Sequence, residues 1–315
     1  MEYRQLGNTL LNISVIGFGA SPLGNVFDTI SENESERAVH TAIDLGINYF
    51  DVAPFYGDTL AETRLGKALK GKRDAVCLST KCCRYGGNVF DFSYDRVTRS
   101  IDESLQRLQT DYVDIYLVHD IEFGDEKQVL EEAIPAALKV KEAGKARYIG
   151  FSGLPVRYLS RIAAKTEIDV VLSWGHYTLL SDEIDDELTG LSLERKFGLL
   201  NAAPFMQRIL TDAPIPSWQN SPDEVKAMQP QLIALCREYG LSLSDVALKY
   251  ATGHPVVAST IVGMSDHELV SRNVKSLGLE LPRELLARIE TLVAPVKNLV
   301  WFEGKPENNL PKQSL

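Results

Sequence analysis

The sequence has few cysteines, no long apolar segment and no excess of basic residues, and each absence excludes a class of protein. Four cysteines in 315 residues are too few for a disulfide framework, and no pair has the C-x-x-C spacing of a zinc site. No apolar run approaches the ~20 residues of a membrane-spanning helix, and residues 1–6 have no apolar signal-peptide core. We therefore expect a cytoplasmic protein that neither binds a membrane nor uses a metal ion.

The charge balance argues against a nucleic-acid partner. The chain has 33 Lys and Arg against 43 Asp and Glu, which gives a net charge of −10 and a pI of about 5.1. Such a surface repels phosphates and anionic lipids. A small molecule is the better expectation, and the sequence does not indicate an oligomeric state.

Short apolar segments alternate with longer segments of helical period along the chain. After a predicted hairpin at 3–13, eight apolar segments have the length of strands, at 15–18, 49–51, 76–79, 113–117, 148–151, 170–172, 199–200 and 260–262. The predicted helices lie at 31–46, 94–108, 128–143, 156–164, 185–196, 222–239, 244–252, 268–277 and 282–293.

This alternation predicts an α/β fold. The sequence favours a single (β/α)8 TIM barrel over residues 1–315, with an N-terminal β-hairpin and a C-terminal helix and tail. An open doubly wound sheet is the competitor, but residues 17–22 (GFGASP) lack its GxGxxG motif. The Pro-containing segment 203–223 is too long for a plain turn and predicts a functional loop at the barrel mouth.

Polar residues follow the ends of three consecutive predicted strands. The second strand ends in Asp51, with Tyr56 five residues later, while Lys81 follows the third strand and His119 the fourth. The carboxyl ends of barrel strands meet at one mouth, so these side chains could converge there. Each alone could be a solvated loop residue, but the arrangement occurs on three strands in succession.

Their chemistry fits proton exchange with a carbonyl or hydroxyl oxygen. The pKa of an isolated tyrosine is about 10, so Tyr56 needs a nearby cation to act near neutral pH. Lys81 could be that cation, Asp51 could hold its ammonium in place, and His119 could orient the substrate oxygen. None of these side chains is a hydride source, so a redox reaction would need a nicotinamide cofactor.

Several motifs resemble the aldo-keto reductase family. They are GINYFDVAPFYG at 46–57, STK at 79–81, SIDESLQRL at 100–108, DYVD at 111–114 and His119. The resemblance covers residues 3–301 and implies a barrel oxidoreductase whose catalytic residues are Asp51, Tyr56, Lys81 and His119. Segments 17–24, 119–124, 149–155 and 295–301 are similar to the sugar-oxidising branch, the L-galactose dehydrogenases. That similarity implies oxidation of a free aldose, L-galactose or a stereochemically related sugar, at C1 to the lactone.

The resemblance also implies binding residues. Those expected at the cofactor are Gly19, Ala20, Ser21, Asp51, Ser152, Gly153, Ser173, Val262, Gly263, Met264, Ser265, Arg272 and Asn273. Those considered for the sugar are Tyr56, His119, Trp174, His176 and Trp301. His176 could instead be a solvated loop residue, and Trp301 could simply pack on the barrel.

Arg272 favours NADP over NAD, with NAD as the alternative cofactor. Gly263 and Leu269 stand where NADP-preferring relatives carry Lys and Arg, which alone would favour NAD. Arg272 stands where a Glu commonly accepts a hydrogen bond from the ribose. A guanidinium could instead bind a 2′-phosphate through two hydrogen bonds, to which Ser265 could add a third, while Asn273 would hold the adenine.

Three alternatives remain open from the sequence. The chain could be a general aldehyde or ketone reductase of the same family. A Schiff-base aldolase would use Lys81 as its nucleophile. A regulatory subunit would keep the fold and the nucleotide without turnover.

Overall fold

In the computed structural model, which describes residues 1–309, eight parallel strands close into a barrel. The predicted (β/α)8 barrel is confirmed. The strands in chain order are β1 (Tyr3–Gln5), β2 (Asn12–Ser14), β3 (Ile16–Gly19), β4 (Tyr49–Asp51), β5 (Cys77–Cys82), β6 (Arg84–Tyr85), β7 (Val89–Phe90), β8 (Val113–Val118), β9 (Ala146–Gly153), β10 (Val170–Trp174), β11 (Gly198–Ala202) and β12 (Val257–Gly263). Two antiparallel hairpins, β1 with β2 and β6 with β7, are separate from the barrel. Pairing of β12 with β3 closes the barrel, with Ile261 opposite Gly17.

Helices surround the barrel and pack their apolar faces against it. They are α1 (Glu32–Asp44), α2 (Leu60–Ala68), α3 (Tyr94–Leu108), α4 (Glu126–Gln128), α5 (Ile134–Glu142), α6 (Val156–Lys165), α7 (Gly190–Arg195), α8 (Asp223–Lys226), α9 (Met228–Glu238), α10 (Leu243–Thr252), α11 (His267–Ser276) and α12 (Arg283–Val293). Across residues 1–309 no helix has both the length and the apolar character needed to cross a membrane.

The N-terminal hairpin covers the barrel end opposite the mouth. Leu6 and Ile13 are fully buried and pack in one cluster with Ile115 and Leu200 of the barrel strands. The Arg4 guanidinium donates to backbone carbonyls between the end of α10 and the start of β12, including that of Val257 at 2.9 Å. This closure leaves the carboxyl ends of the strands as the accessible end of the barrel.

The helix α2 was missed by the sequence pattern because a carboxylate lies on its buried face. Glu62 is fully buried and accepts hydrogen bonds from the Thr80 hydroxyl at 2.6 Å and from Arg107 Nε at 2.6 Å. A hydropathy pattern assigns a charged residue to the solvent face, so this helix loses its amphipathic signal. The buried ion pair connects α2, β5 and α3.

Three predicted helices are divided. The segment predicted at 128–143 begins at Glu126 and contains a π-helical turn, Val129–Ala133, just before Pro135. Proline has no N–H to donate, so the regular hydrogen-bond pattern cannot continue through it. The segment 185–196 is a π turn followed by α7, and 222–239 forms α8 and α9.

Candidate active site

Four polar side chains meet at the carboxyl end of β4, β5 and β8. Lys81 Nζ lies 2.5 Å from Asp51 Oδ2, 3.0 Å from the carbonyl oxygen of Val52 and 3.3 Å from Tyr56 Oη. The rings of Tyr56 and His119 stand nearly perpendicular, with centroids 5.9 Å apart. All three donor positions of the ammonium are therefore used, and one of them is directed to the phenol oxygen.

A close backbone approach fixes the loop that carries Tyr56. Gly57 has a φ of +62°, and a Cβ there would lie 2.0 Å from the carbonyl oxygen of Gly24. A Cβ on Gly24 would lie 2.6 Å from the carbonyl oxygen of Tyr56. Two glycines thus allow the loop after β4 to lie against the loop after β3, which positions the phenol over the mouth.

The protonation states of these groups follow from burial and from one another. Burial raises the pKa of Tyr56, and Lys81 opposes this increase. Burial lowers the pKa of Lys81, but Asp51 and then Tyr56 outweigh it and raise that pKa to about 12. Burial, with help from Lys81, lowers the pKa of His119 well below its usual value. At neutral pH the group is therefore a neutral phenol beside a charged ammonium and a neutral imidazole.

A cavity of about 990 Å³ extends from these four residues to the N-terminal part of α11. It is lined by eight of the residues expected at a cofactor, which are Gly19, Ser21, Asp51, Ser152, Val262, Gly263, Ser265 and Arg272. The others are not among the residues that line it, and they are Ala20, Gly153, Ser173, Met264 and Asn273. The strand ends approach closely here, because a Cβ on Gly19 would lie 3.0 Å from the Val262 carbonyl oxygen.

Unpartnered polar atoms near the cavity fit a nicotinamide dinucleotide. Asn273 is 2% exposed, and its side-chain Nδ2 has no hydrogen-bond partner in the part of the chain that the structure describes. Ser173 Oγ is likewise buried without a partner among residues 1–309. Buried donors and acceptors are costly to leave unpaired, so an amide and a hydroxyl in this state are suited to a polar ligand. Arg272 is exposed and forms no ion pair with the described residues.

The opposite end of the cavity contains charged residues that the sequence analysis did not select. Arg84 pairs with Asp120 at 2.5 Å, and its guanidinium lies 3.9 Å from the centroid of the Phe55 ring. Glu303 from the C-terminal segment lines the same cavity. Arg84 and Asp120 each stand close to a predicted catalytic residue in the sequence, and this adjacency was an available signal. Glu303 had none, because its approach depends on the path of the chain after α12.

Of the residues considered for the sugar, Tyr56, His119 and Trp174 line the cavity. The other two, His176 and Trp301, do not. Trp301 packs against Trp174 with ring centroids 5.6 Å apart, and its Nε1 donates to Glu303 Oε1 at 2.9 Å. His176 is buried, with Nδ1 3.1 Å from Glu183 Oε2. His176 does not line the cavity, but its Nε2 is buried without a hydrogen-bond partner among the described residues, so a sugar contact by His176 stays a prediction.

Two loops meet across the cavity mouth. Phe27 and Trp218 stack with ring centroids 6.1 Å apart, and Asp28 pairs with Arg208 at 3.1 Å. Segment 203–223, expected to be a loop at the mouth, contributes both Arg208 and Trp218 to the cavity lining. Residues of both loops therefore line the same cavity.

Known proteins resemble this chain in sequence and in fold. The family model described as "Aldo/keto reductase family" matches residues 15–294. The chain belongs to this family. It is 42% identical to L-galactose dehydrogenase of Arabidopsis thaliana over 98% of this chain and 99% of that protein. It is 30% identical to D-threo-aldose 1-dehydrogenase of a Pseudomonas species, over 89% of this chain and 94% of that protein.

A solved structure agrees with this membership. The holo form of aldo-keto reductase AKR11C1 from Bacillus halodurans superposes with a TM-score of 0.79 and is 27% identical, covering 98% of this chain and all of that one. This aldo/keto reductase chain is therefore an oxidoreductase with aldose dehydrogenases among its relatives. Members of the family use NADH or NADPH.

Proposed function

We propose that this aldo/keto reductase oxidises a free aldose at C1 to the lactone, with L-galactose or a stereochemically related sugar as substrate. The observation that carries the proposal is the 3.3 Å contact between Tyr56 Oη and Lys81 Nζ at one end of the cavity. The names of two relatives, L-galactose dehydrogenase and D-threo-aldose 1-dehydrogenase, support the choice of substrate class.

Tyr56 would accept the proton of the anomeric hydroxyl. Lys81, held as an ammonium by Asp51, stabilises the phenolate that must form, while neutral His119 is available to hydrogen-bond the same sugar oxygen. A bound nicotinamide would supply the acceptor for the two electrons and the hydrogen that leave C1. The side chains of this protein thus carry out the proton transfer.

The predicted cofactor residues would bind the dinucleotide along the groove between β12 and α11. Ser173 would hydrogen-bond the carboxamide and Asn273 the adenine, since both have unpartnered buried polar atoms. We propose NADP rather than NAD, because the exposed Arg272 guanidinium lines the cavity and has no competing carboxylate among residues 1–309 within ion-pair distance. Ser265 would have to release its hydrogen bond to Asp266, now 2.7 Å, to donate to a 2′-phosphate.

The protonation state of Lys81 argues against a Schiff-base aldolase. An amine attacks a carbonyl only when it is deprotonated, and the pKa of Lys81 is raised to about 12 with Asp51 at 2.5 Å. The amine of Lys81 would therefore remain charged in most molecules at neutral pH. Borohydride trapping with a carbonyl substrate should therefore leave Lys81 unmodified.

The test is a substrate panel followed by nicotinamide absorbance. We expect oxidation of free aldoses with either NADP or NAD, faster with NADP, and only slow reduction of simple aromatic aldehydes. Rapid aldehyde reduction without sugar oxidation would instead identify a general carbonyl reductase. Absence of turnover with every sugar and aldehyde, together with retained cofactor binding, would favour a regulatory subunit.

A further inference from the structure

We propose that Glu303, with the Arg84–Asp120 ion pair, forms a sugar-hydroxyl site that accepts neutral aldoses and rejects anionic sugars. All three residues line the cavity that also contains Tyr56. The inference rests on the proposed function, because it names which aldoses the same site would take.

The charges at this end of the cavity do not cancel. The positive charge of Arg84 is matched by Asp120 at 2.5 Å, and that of Lys81 by Asp51 at 2.5 Å. The carboxylate of Glu303 then has no cation of its own within ion-pair distance in the part of the chain that the structure describes. Burial and the nearby Asp120 carboxylate raise the pKa of Glu303. When Glu303 is ionised, the substrate end has a surplus negative charge in a partly enclosed space, where screening by water is reduced.

Glu303 also has a free acceptor. Trp301 Nε1 donates to Oε1 at 2.9 Å, whereas Oε2 has no hydrogen-bond donor among the described residues. Neutral sugars offer many hydroxyl donors, and hydrogen bonds to a charged acceptor are among the stronger ones in proteins. A sugar hydroxyl can satisfy this oxygen, whereas a carboxylate or phosphate group on the sugar would be repelled.

The segment that carries Glu303 is fixed on the loop after β8. The Lys305 amide donates to the Glu122 carbonyl at 2.9 Å, and Asn308 Nδ2 donates to the carbonyls of Glu122 and Gly124. Gly304 has a φ of +78°, and a Cβ there would lie 2.5 Å from the Glu122 carbonyl oxygen. Several contacts therefore hold Glu303 beside the loop that carries Asp120.

The Arg84–Asp120 pair is equally well fixed. The Arg84 guanidinium lies 3.9 Å from the Phe55 centroid and 5.4 Å from the centroids of Phe90 and Phe123. Its charge is thus held by aromatic faces and by Asp120, which leaves it poorly placed to neutralise an anionic substrate. A positively charged pocket for sugar acids or phosphates is not what this arrangement provides.

The decisive variant is Glu303→Gln, which keeps the acceptor for Trp301 but removes the charge. Its matched control is Glu307→Gln, an exposed residue on the same segment. We would measure kcat and KM for the best neutral aldose of the panel and for the uronic acid with the same ring stereochemistry. In the native enzyme the neutral sugar should be preferred. Glu303→Gln should reduce that preference by about tenfold, chiefly through KM, because one nearby charge is lost.

The controls separate this inference from the proposed function. An unchanged preference in Glu303→Gln, or an equal change in Glu307→Gln, would overturn the inference while leaving aldose oxidation intact. A purely structural role for Glu303 would alter both sugars together and leave their ratio unchanged. If no aldose is oxidised, calorimetry of both sugars with the full chain and oxidised cofactor supplies a second readout. Lack of discrimination there, or of any sugar binding, also overturns the inference.

Discussion

Replacement of Tyr56 by Phe removes a single oxygen from the site and leaves its shape. The ring would keep its edge contacts with Phe55 and His119, whose centroids lie 6.0 and 5.9 Å away. Lys81 would keep its hydrogen bonds to Asp51 and to the Val52 carbonyl. We therefore expect the variant to fold and to bind cofactor as the native enzyme does.

The expected loss of turnover is large because no neighbouring group can replace the phenol. The pKa of His119 is lowered well below its usual value by burial, which makes its imidazole a poor base. Asp51 accepts from both Lys81 and the Ser79 hydroxyl, at 2.5 and 2.7 Å. A general base typically contributes about 10²- to 10⁴-fold, and we expect a fall in kcat in the upper half of that range.

The assay is a steady-state measurement of aldose oxidation, with cofactor affinity measured separately by calorimetry. Tyr158→Phe is the matched control, because that hydroxyl is buried on α6 and has no hydrogen-bond partner among residues 1–309. The control should retain native turnover. If Tyr56→Phe retained more than about a tenth of native kcat, or lost cofactor binding in parallel with turnover, Tyr56 would not be the base.

Three further expectations concern pH, cofactor and stability. Oxidation needs the phenolate of Tyr56, and burial raises the pKa of this phenol. Because Lys81, with a pKa of about 12, stays charged, kcat/KM should rise from neutral to alkaline pH. A profile that is flat or falls over this range would contradict this expectation. Arg272→Glu should turn a preference for NADP into one for NAD in kcat/KM, and an unchanged ratio would make Arg272 a surface residue only. Glu62→Ala leaves the largely buried Arg107 without its ion-pair partner and should lower the free energy of unfolding in urea by about 3 kcal/mol. A loss below about 1 kcal/mol would mean that Arg107 finds another carboxylate.

Much of the fold could be predicted from local sequence. The apolar segments of β3, β8 and β10 are short and buried on both sides, so composition alone marks them as strands of a covered parallel sheet. The capping serine and periodic face of α1 are equally local signals. The pattern failed for α2, where long-range pairing buries Glu62, and no local window contains Arg107.

The residues of the site likewise divide into those that the sequence could place and those that it could not. Residues that stand directly after strands, such as Asp51 and His119, could be placed at the mouth from sequence, because strand ends of a barrel converge by construction. The direction of a loop side chain is not set by that rule. His176 follows β10 but turns to Glu183, and Trp301 packs behind Trp174.

The sequence by itself determined the succession of strands and helices, the family motifs and the residue types at the strand ends. Only the tertiary structure decided that Glu303 lines the same cavity as Arg84 and Asp120, since Glu303 lies far along the chain from both. It also decided that burial raises the pKa of Tyr56 in spite of Lys81. The physical reason is that periodicity and turn chemistry act over a few residues, whereas desolvation and charge pairing depend on which distant segments are brought together when the barrel closes.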